Sequence, residues 1–179
     1  MGMRDRFIFR ATDEALATSL MHAAQKGQAE VVQMLLARGA TVDWPNQSGY
    51  TPLMLAAENG HTIVVQRLLA YGANVNIQIR QSTALKLAVE NGHVEVARVL
   101  LEKGAILDVS VPALAARKGH KDMFILLLEE MKKSGVVPEI INDVINGALE
   151  HAKTEEMKKL INSSYQSKNR PVLDRLSTP

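Results

Sequence analysis

The sequence predicts an all-α solenoid of four to five helix-turn-helix units with short β-hairpin loops, and three observations carry that expectation. Gly27, Gly60 and Gly92 are spaced 33 and 32 residues apart. Gly39-Ala40, Gly72-Ala73 and Gly104-Ala105 follow at the same two spacings. Apolar pairs keep the register: Val31-Val32 with Leu35-Leu36, Val64-Val65 with Leu68-Leu69, and Val96-Ala97 with Leu100-Leu101. Landmarks of different kinds that share one period mark a structural repeat, in which each unit buries its apolar face against the next.

Each unit reads as a short apolar helix, a glycine turn, a longer amphipathic helix, a glycine stop and an extended polar finger. Apolar pairs four residues apart place one buried stripe on the second helix, and the glycine after each helix supplies a conformation that other residues adopt at a cost. The units fall at about 12–43, 44–76, 77–108 and 109–135, with a C-terminal cap at 136–163, so one domain covers 1–163. "TSLMHAAQKGQAEVVQMLLARGATVD" (18–43) is the first unit and "STALKLAVENGHVEVARVLLEKGAILD" (82–108) the third. The fourth, "VPALAARKGHKDMFILLLEEM" (111–131), departs from the pattern, because Gly119 follows Gly92 by only 27 residues. That spacing removes the finger after Asp108, while the second helix extends from Lys121 to about Lys133. The fifth, at 138–163, keeps two helices, with Thr154 as an N-cap, but has no Gly-Ala stop; its polar second helix reads as a cap over the last apolar face. Residues 1–11 read as the start of an N-terminal cap. Residues 164–179, "SYQSKNRPVLDRLSTP", read as a flexible tail, with Val172 to Leu176 a candidate docking motif inside it.

The second unit, "YTPLMLAAENGHTIVVQRLLAYGANVN" (50–76), resembles an ankyrin repeat. Thr51-Pro52-Leu53 matches the family's helix start, with Pro52 suited to the first turn. Ala56-Ala57 matches the small pair that lets two helices approach, and Gly60-His61 and Gly72-Ala73 match the inter-helix turn and the stop. The resemblance covers about residues 12–161. The chain departs from it at Ser19 and Ala84, which replace proline, and at Gln28, which replaces histidine. Met21, Met54 and Lys86 stand where the family's helix start has its histidine. The threonine–histidine bond between neighbouring repeats is therefore missing, and apolar contact at Met54 must substitute. The resemblance implies a concave face that binds another protein, with no catalysis and no cofactor.

The rest of the sequence agrees with that expectation. A composition of 46% hydrophobic and 22% charged residues suits a soluble globular chain, and a net charge of +2 does not advertise nucleic acid or an anionic membrane. There is no cysteine, hence no disulfide and no thiolate chemistry. With no signal-peptide core and no run of eighteen apolar residues, the expected location is the cytoplasm. Neither a Gly-x-Ser-x-Gly elbow nor a phosphate-binding glycine loop occurs. One chemical alternative is the repeated Glu58-x-x-His61 and Glu90-x-x-His93, half of a di-metal carboxylate pattern. Gly60 and Gly92 end the helix between the two side chains, so each Glu and its His point to different places and no metal is expected. The resemblance makes His61, His93 and His120 structural groups whose rings bond backbone.

What remains is surface. The residues expected to bind a partner are, on the fingers, Trp44, Gln47, Ser48 and Tyr50, then Gln78, Ile79, Arg80 and Ser82. On the inner helices they are Gln25 and Lys26, Glu58 and Asn59, Glu90 and Asn91, and Arg117 and Lys118. Trp44 and Tyr50 flank a polar finger, as interface anchors do; the alternative is that Trp44 packs under the adjacent hairpin or the Tyr50 ring. Ile79 is either a contact or a plug beside the fingerless fourth unit. From Lys26 through Glu58 and Glu90 to Arg117-Lys118 the sign runs positive, negative, positive, which suits a protein partner with a basic group opposite the two carboxylates and not a nucleic acid. The expected partner is a helix, loop or peptide of another protein, bound by a monomer acting as scaffold or adaptor. The other class is a structural or regulatory subunit of a larger assembly.

Overall fold

A computed structural model describes residues 3–152, 154–156, 158–159 and 161, and their side chains from Asp13 onward except at 150 and 151. Among the described residues it forms α-helices and no named strand; the fingers are turns, with one isolated antiparallel bridge between Ile79 and Ser82. None of these helices is long and apolar enough to cross a membrane. The chain divides into two compact units, Met1–Ile106 and Leu107–Pro179.

The first unit stacks three helix pairs. Inner helices α1 (Met3–Gln25), α3 (Pro52–Glu58) and α5 (Ala84–Glu90) pack in one row, and outer helices α2 (Ala29–Ala37), α4 (Thr62–Ala70) and α6 (Val94–Glu102) in a second. Threonine starts two of the inner helices. The Met54 N–H donates to Thr51 Oγ1 at 3.3 Å and the Lys86 N–H to Thr83 Oγ1 at 3.2 Å, each satisfying a donor that the first turn leaves unpaired. Residues Pro52 to Ala57 are all buried in α3, and Met54 is 1% exposed, so apolar packing occupies the position where the family's histidine is missing. The fully buried Ala56 and Ala57 leave room for close helix approach. Val64, Val65 and Leu68 form the buried stripe of α4, each contributing roughly 2 kcal/mol on burial.

Two sequence expectations change here. The periodicity puts Val31 in the same buried stripe as Val64, yet Val31 is 38% exposed and Val64 1%. The reason is position in the stack: α4 lies between α2 and α6, whereas α2 packs against α4 on one side. The expected cap at residues 1–11 is, from Met3 on, continuous with the first inner helix, which runs 23 residues without a break.

The second unit contains α7 (Ser110–Lys118), α8 (Lys121–Lys133) and α9 (Pro138–His151), with α7 packed against both others. The long α8 buries Met123, Phe124, Leu127 and Met131. It ends as helices that reach a left-handed glycine do: Gly135 has φ 75°, and the Val136 N–H reaches back to the Met131 carbonyl at 3.1 Å. Beyond α9 the Lys158 N–H donates to the Thr154 carbonyl at 3.1 Å, a helical turn at the position expected of Thr154, and Ile161 is fully buried. The tail at 164–179 lies outside the described residues.

Candidate protein-binding face

The exposed ends of the inner helices are built by one joint that repeats. After Glu58, Asn59 ties its side-chain N–H to the Leu55 carbonyl at 2.8 Å, Gly60 turns the chain at φ 76°, and His61 begins α4. The His61 ring places Nε2 3.0 Å from the Gln25 carbonyl oxygen, and His93 places its own 3.0 Å from that of Glu58. A carbonyl only accepts, so Nε2 carries the proton and donates. Each histidine therefore reaches the preceding repeat and not the glutamate of its own. The Glu-x-x-His pairs do not converge on one point, and among the described residues no group of three His, Asp or Glu side chains is placed to hold a metal.

This joint also fixes the register of the face. Gln25, Glu58 and Glu90 are the last residues of α1, α3 and α5. Lys26 falls one position later, in the row of Asn59 and Asn91, so it does not continue the line of the two carboxylates, as the sequence reading had it. The Asn91 side-chain N–H is bound to the Leu87 carbonyl at 2.9 Å, which gives Asn91, like Asn59, a structural task beside any binding one. Because α3 and α5 are otherwise largely buried, their accessible side chains concentrate at these carboxyl ends: Glu58 is half-buried and Asn59, Glu90 and Asn91 are exposed. Gln25 and Lys26 are exposed at the end of α1. Arg117 and Lys118 are exposed in the last turn of α7, which belongs to the second unit.

The finger at 44–50 is organised by Asn46, which the sequence reading passed over. Its Oδ1 accepts from the Ser48 and Tyr50 N–H groups at 2.9 Å each, and its backbone N–H donates to the Tyr50 carbonyl at 2.9 Å. Asparagine closing a turn on its own backbone is a signal in the residue type. Gln47 and Ser48 are left exposed at the tip, with Trp44 and Tyr50 half-buried at the base.

The finger at 78–82 is a two-residue turn in which Ile79 and Ser82 exchange hydrogen bonds of 2.9 and 2.8 Å. Ile79 is a contact between fingers: it lies over Gly49, where an added Cβ would come within 3.0 Å of Ile79 Cγ2. Gln78 and Arg80 are exposed and Ser82 half-buried.

A second set of missed residues joins the repeats at the base of the fingers. Asp43, Asn76 and Asp108 occupy one register, 33 and 32 residues apart. Both Asp43 carboxylate oxygens accept from the Asn74 N–H, at 3.2 and 3.0 Å. Asn76 accepts from the Ile106 N–H at 2.9 Å and donates to the Gly104 carbonyl at 3.0 Å. Asp108, which no finger follows, turns its carboxylate to the Ser110 N–H at 2.8 Å, at the start of α7.

The model of a family described as "Ankyrin repeats (3 copies)" matches residues 20–112, just over half of the 179-residue chain. No curated relative matches it.

Proposed function

The chain belongs to the ankyrin-repeat family, and from that premise we propose that it is a scaffold or adaptor whose fingers and acidic inner-helix ends hold a helix, loop or peptide of a partner protein. Ankyrin repeats are protein–protein interaction modules, and the family is typically non-catalytic. The observation that carries the reading is that Glu58 and Glu90 occupy equivalent places in adjacent repeats, as the last residues of α3 and α5, helices otherwise largely buried. Packed helices stand roughly 10 Å apart. That is the separation of residues seven apart on a helix, about 10 Å at 1.5 Å per residue. A partner helix with basic residues at that interval meets both carboxylates. Gln47, Ser48 and Arg80 supply a polar rim at the finger tips, and Trp44 and Tyr50 the apolar anchors. The module acts as a monomer in the cytoplasm, a reducing setting that suits a chain without cysteine.

The test compares partner capture by the wild-type chain with capture by a Trp44→Ala, Glu58→Lys, Glu90→Lys variant whose helix content is checked by circular dichroism. The expected result is loss of wild-type partners from the folded variant. Retention of every partner by that variant removes this face from the interaction.

A further inference from the structure

Inner helices that follow a finger begin buried, as Pro52 and Leu53 of α3 and Ala84 and Leu85 of α5 show. In the second unit neither α7 nor α9 follows a finger: α9 begins with Pro138, Glu139 and Ile140 exposed, and Val109, the residue before α7, is 53% exposed although Val111 and Pro112 of the first turn are buried. Between the two helices lies a groove of about 300 Å³ lined by Val109, Ala113, Ile140, Asp143, Val144 and Gly147. Its size is at the lower end of the range for ligand sites, enough for a few side chains.

Gly147 is an independent sign that the groove is built to stay open. It lies inside the 14-residue α9 without the positive φ that explains most other glycines of the chain, and a Cβ there would meet no atom within 4 Å. Glycine weakens a helix relative to alanine, and neither a turn nor a close approach requires it here. What its missing side chain does is leave the groove floor clear.

We propose that this groove is the docking site of the chain's own C-terminal segment, with Val172, Leu173 and Leu176 entering between α7 and α9. These three are the aliphatic residues of 162–179. The segment 164–179 carries Lys168, Arg170 and Arg175 against a single Asp174, and among the described residues the charge on the groove's lining is that of Asp143, so the signs are complementary. Reach is sufficient. From the buried Ile161 to Val172 an extended chain spans up to roughly 36 Å, beyond the roughly 21 Å length of α9. A tail held this way occupies the apolar surface that the missing fingers leave uncovered, and a competing apolar peptide with a basic flank releases it.

The test uses the full chain. Amide and methyl NMR spectra of the wild type are compared with those of a Leu173→Asp, Leu176→Asp variant and of Gly147→Leu. Resonances of Val109, Ala113, Ile140 and Val144 are expected to shift in the tail variant, independently of protein concentration. An excess of a synthetic peptide of residues 166–179 is expected to move them back toward their wild-type positions. Leucine favours helix over glycine, so Gly147→Leu is expected to fold, and its filled groove to leave the tail free and the peptide unbound. Groove resonances that do not respond to the tail substitutions overturn the proposal. So does a concentration-dependent wild-type spectrum, which assigns the groove to a second copy, or a Gly147→Leu chain that binds the peptide as well as the wild type does.

Discussion

His93 holds Nε2 3.0 Å from the Glu58 carbonyl oxygen, and the same ring lies so close to the preceding turn that a Cβ on Gly60 would come within 2.6 Å of its Nδ1. His61 stands in the same relation to Gln25 and Gly27, with the same 2.6 Å approach. Glycine and histidine thus recur because they are two halves of one joint between neighbouring repeats. At Gln28, whose repeat has no repeat before it in this chain, the ring is missing.

The joint predicts unequal costs for two substitutions that look alike. Gly60 and Gly72 both have left-handed φ, 76° and 84°, but a Cβ on Gly72 meets nothing within 4 Å. Gly72→Ala is expected to cost about 1–2 kcal/mol through backbone conformation alone. Gly60→Ala adds the clash, for a total of about 3 kcal/mol. Urea unfolding of both variants, with and without His93→Ala, checks this. The excess at Gly60 must vanish in the His93→Ala background, and an excess that persists removes the ring as its cause.

The aspartate and asparagine register predicts an asymmetry. Asp43 only accepts, so Asp43→Asn is expected to change stability by no more than about 0.5 kcal/mol. Asn76 both accepts and donates, and Asn76→Asp sets a carboxylate against the Gly104 carbonyl, at an expected cost of about 1–3 kcal/mol. Thermal unfolding at neutral pH measures both. Equal effects at the two positions sink this account of the register.

The helical repeat was legible because burial and periodicity are the same fact on an amphipathic helix: the spacing that repeats Val64, Val65 and Leu68 is the spacing that buries them. What periodicity cannot convey is where a stack stops, and that is why it buries Val31 when the structure exposes it. Sidedness was also misread. The 33-residue period already sets Gln25, not Lys26, opposite Glu58, and the carbonyls that His61 and His93 select agree with it. Asn46 and Asn76 were missed for a different reason: they work through hydrogen bonds to backbone, whose partners are set by the folded path of the fingers and not by hydrophobic pattern. Their residue type was the available signal.

The finger at 78–82 is predicted to hold removable strain. Arg80 and Gln81 have φ of 47° and 70°, in a two-residue turn that asparagine followed by glycine suits best. Replacing the pair by Asn-Gly is expected to stabilise the first unit by about 1–2 kcal/mol, read as a rise in the urea midpoint. If Arg80 contacts the partner as proposed, the same variant binds more weakly while folding better. A variant that is no more stable than the wild type contradicts the strain.

The last prediction concerns acid. Lys121 of α8 bonds and pairs with Glu156, and that hydrogen bond, helped by the lysine charge, holds the Glu156 carboxyl below its ordinary value of 4.5. A carboxylate whose folded pKa is depressed contributes stability above its unfolded pKa and loses it as pH falls through the folded one. The contribution is therefore complete near neutrality and disappears in the window that begins at about 4.5 and extends downward. Glu155 is lowered in the same way by Lys158, three residues on, so its pair steadies only the local turn. The Lys121–Glu156 pair instead ties that turn to α8. The exchange protection of the Lys158 amide, taken relative to its intrinsic exchange rate at each pH, is expected to fall as pH drops through that window in the wild type and to lose this step in Glu156→Gln. Both groups are exposed, so high salt is expected to shrink the effect. A wild-type step centred above 4.5, or one that survives in Glu156→Gln, assigns the acid sensitivity to another group.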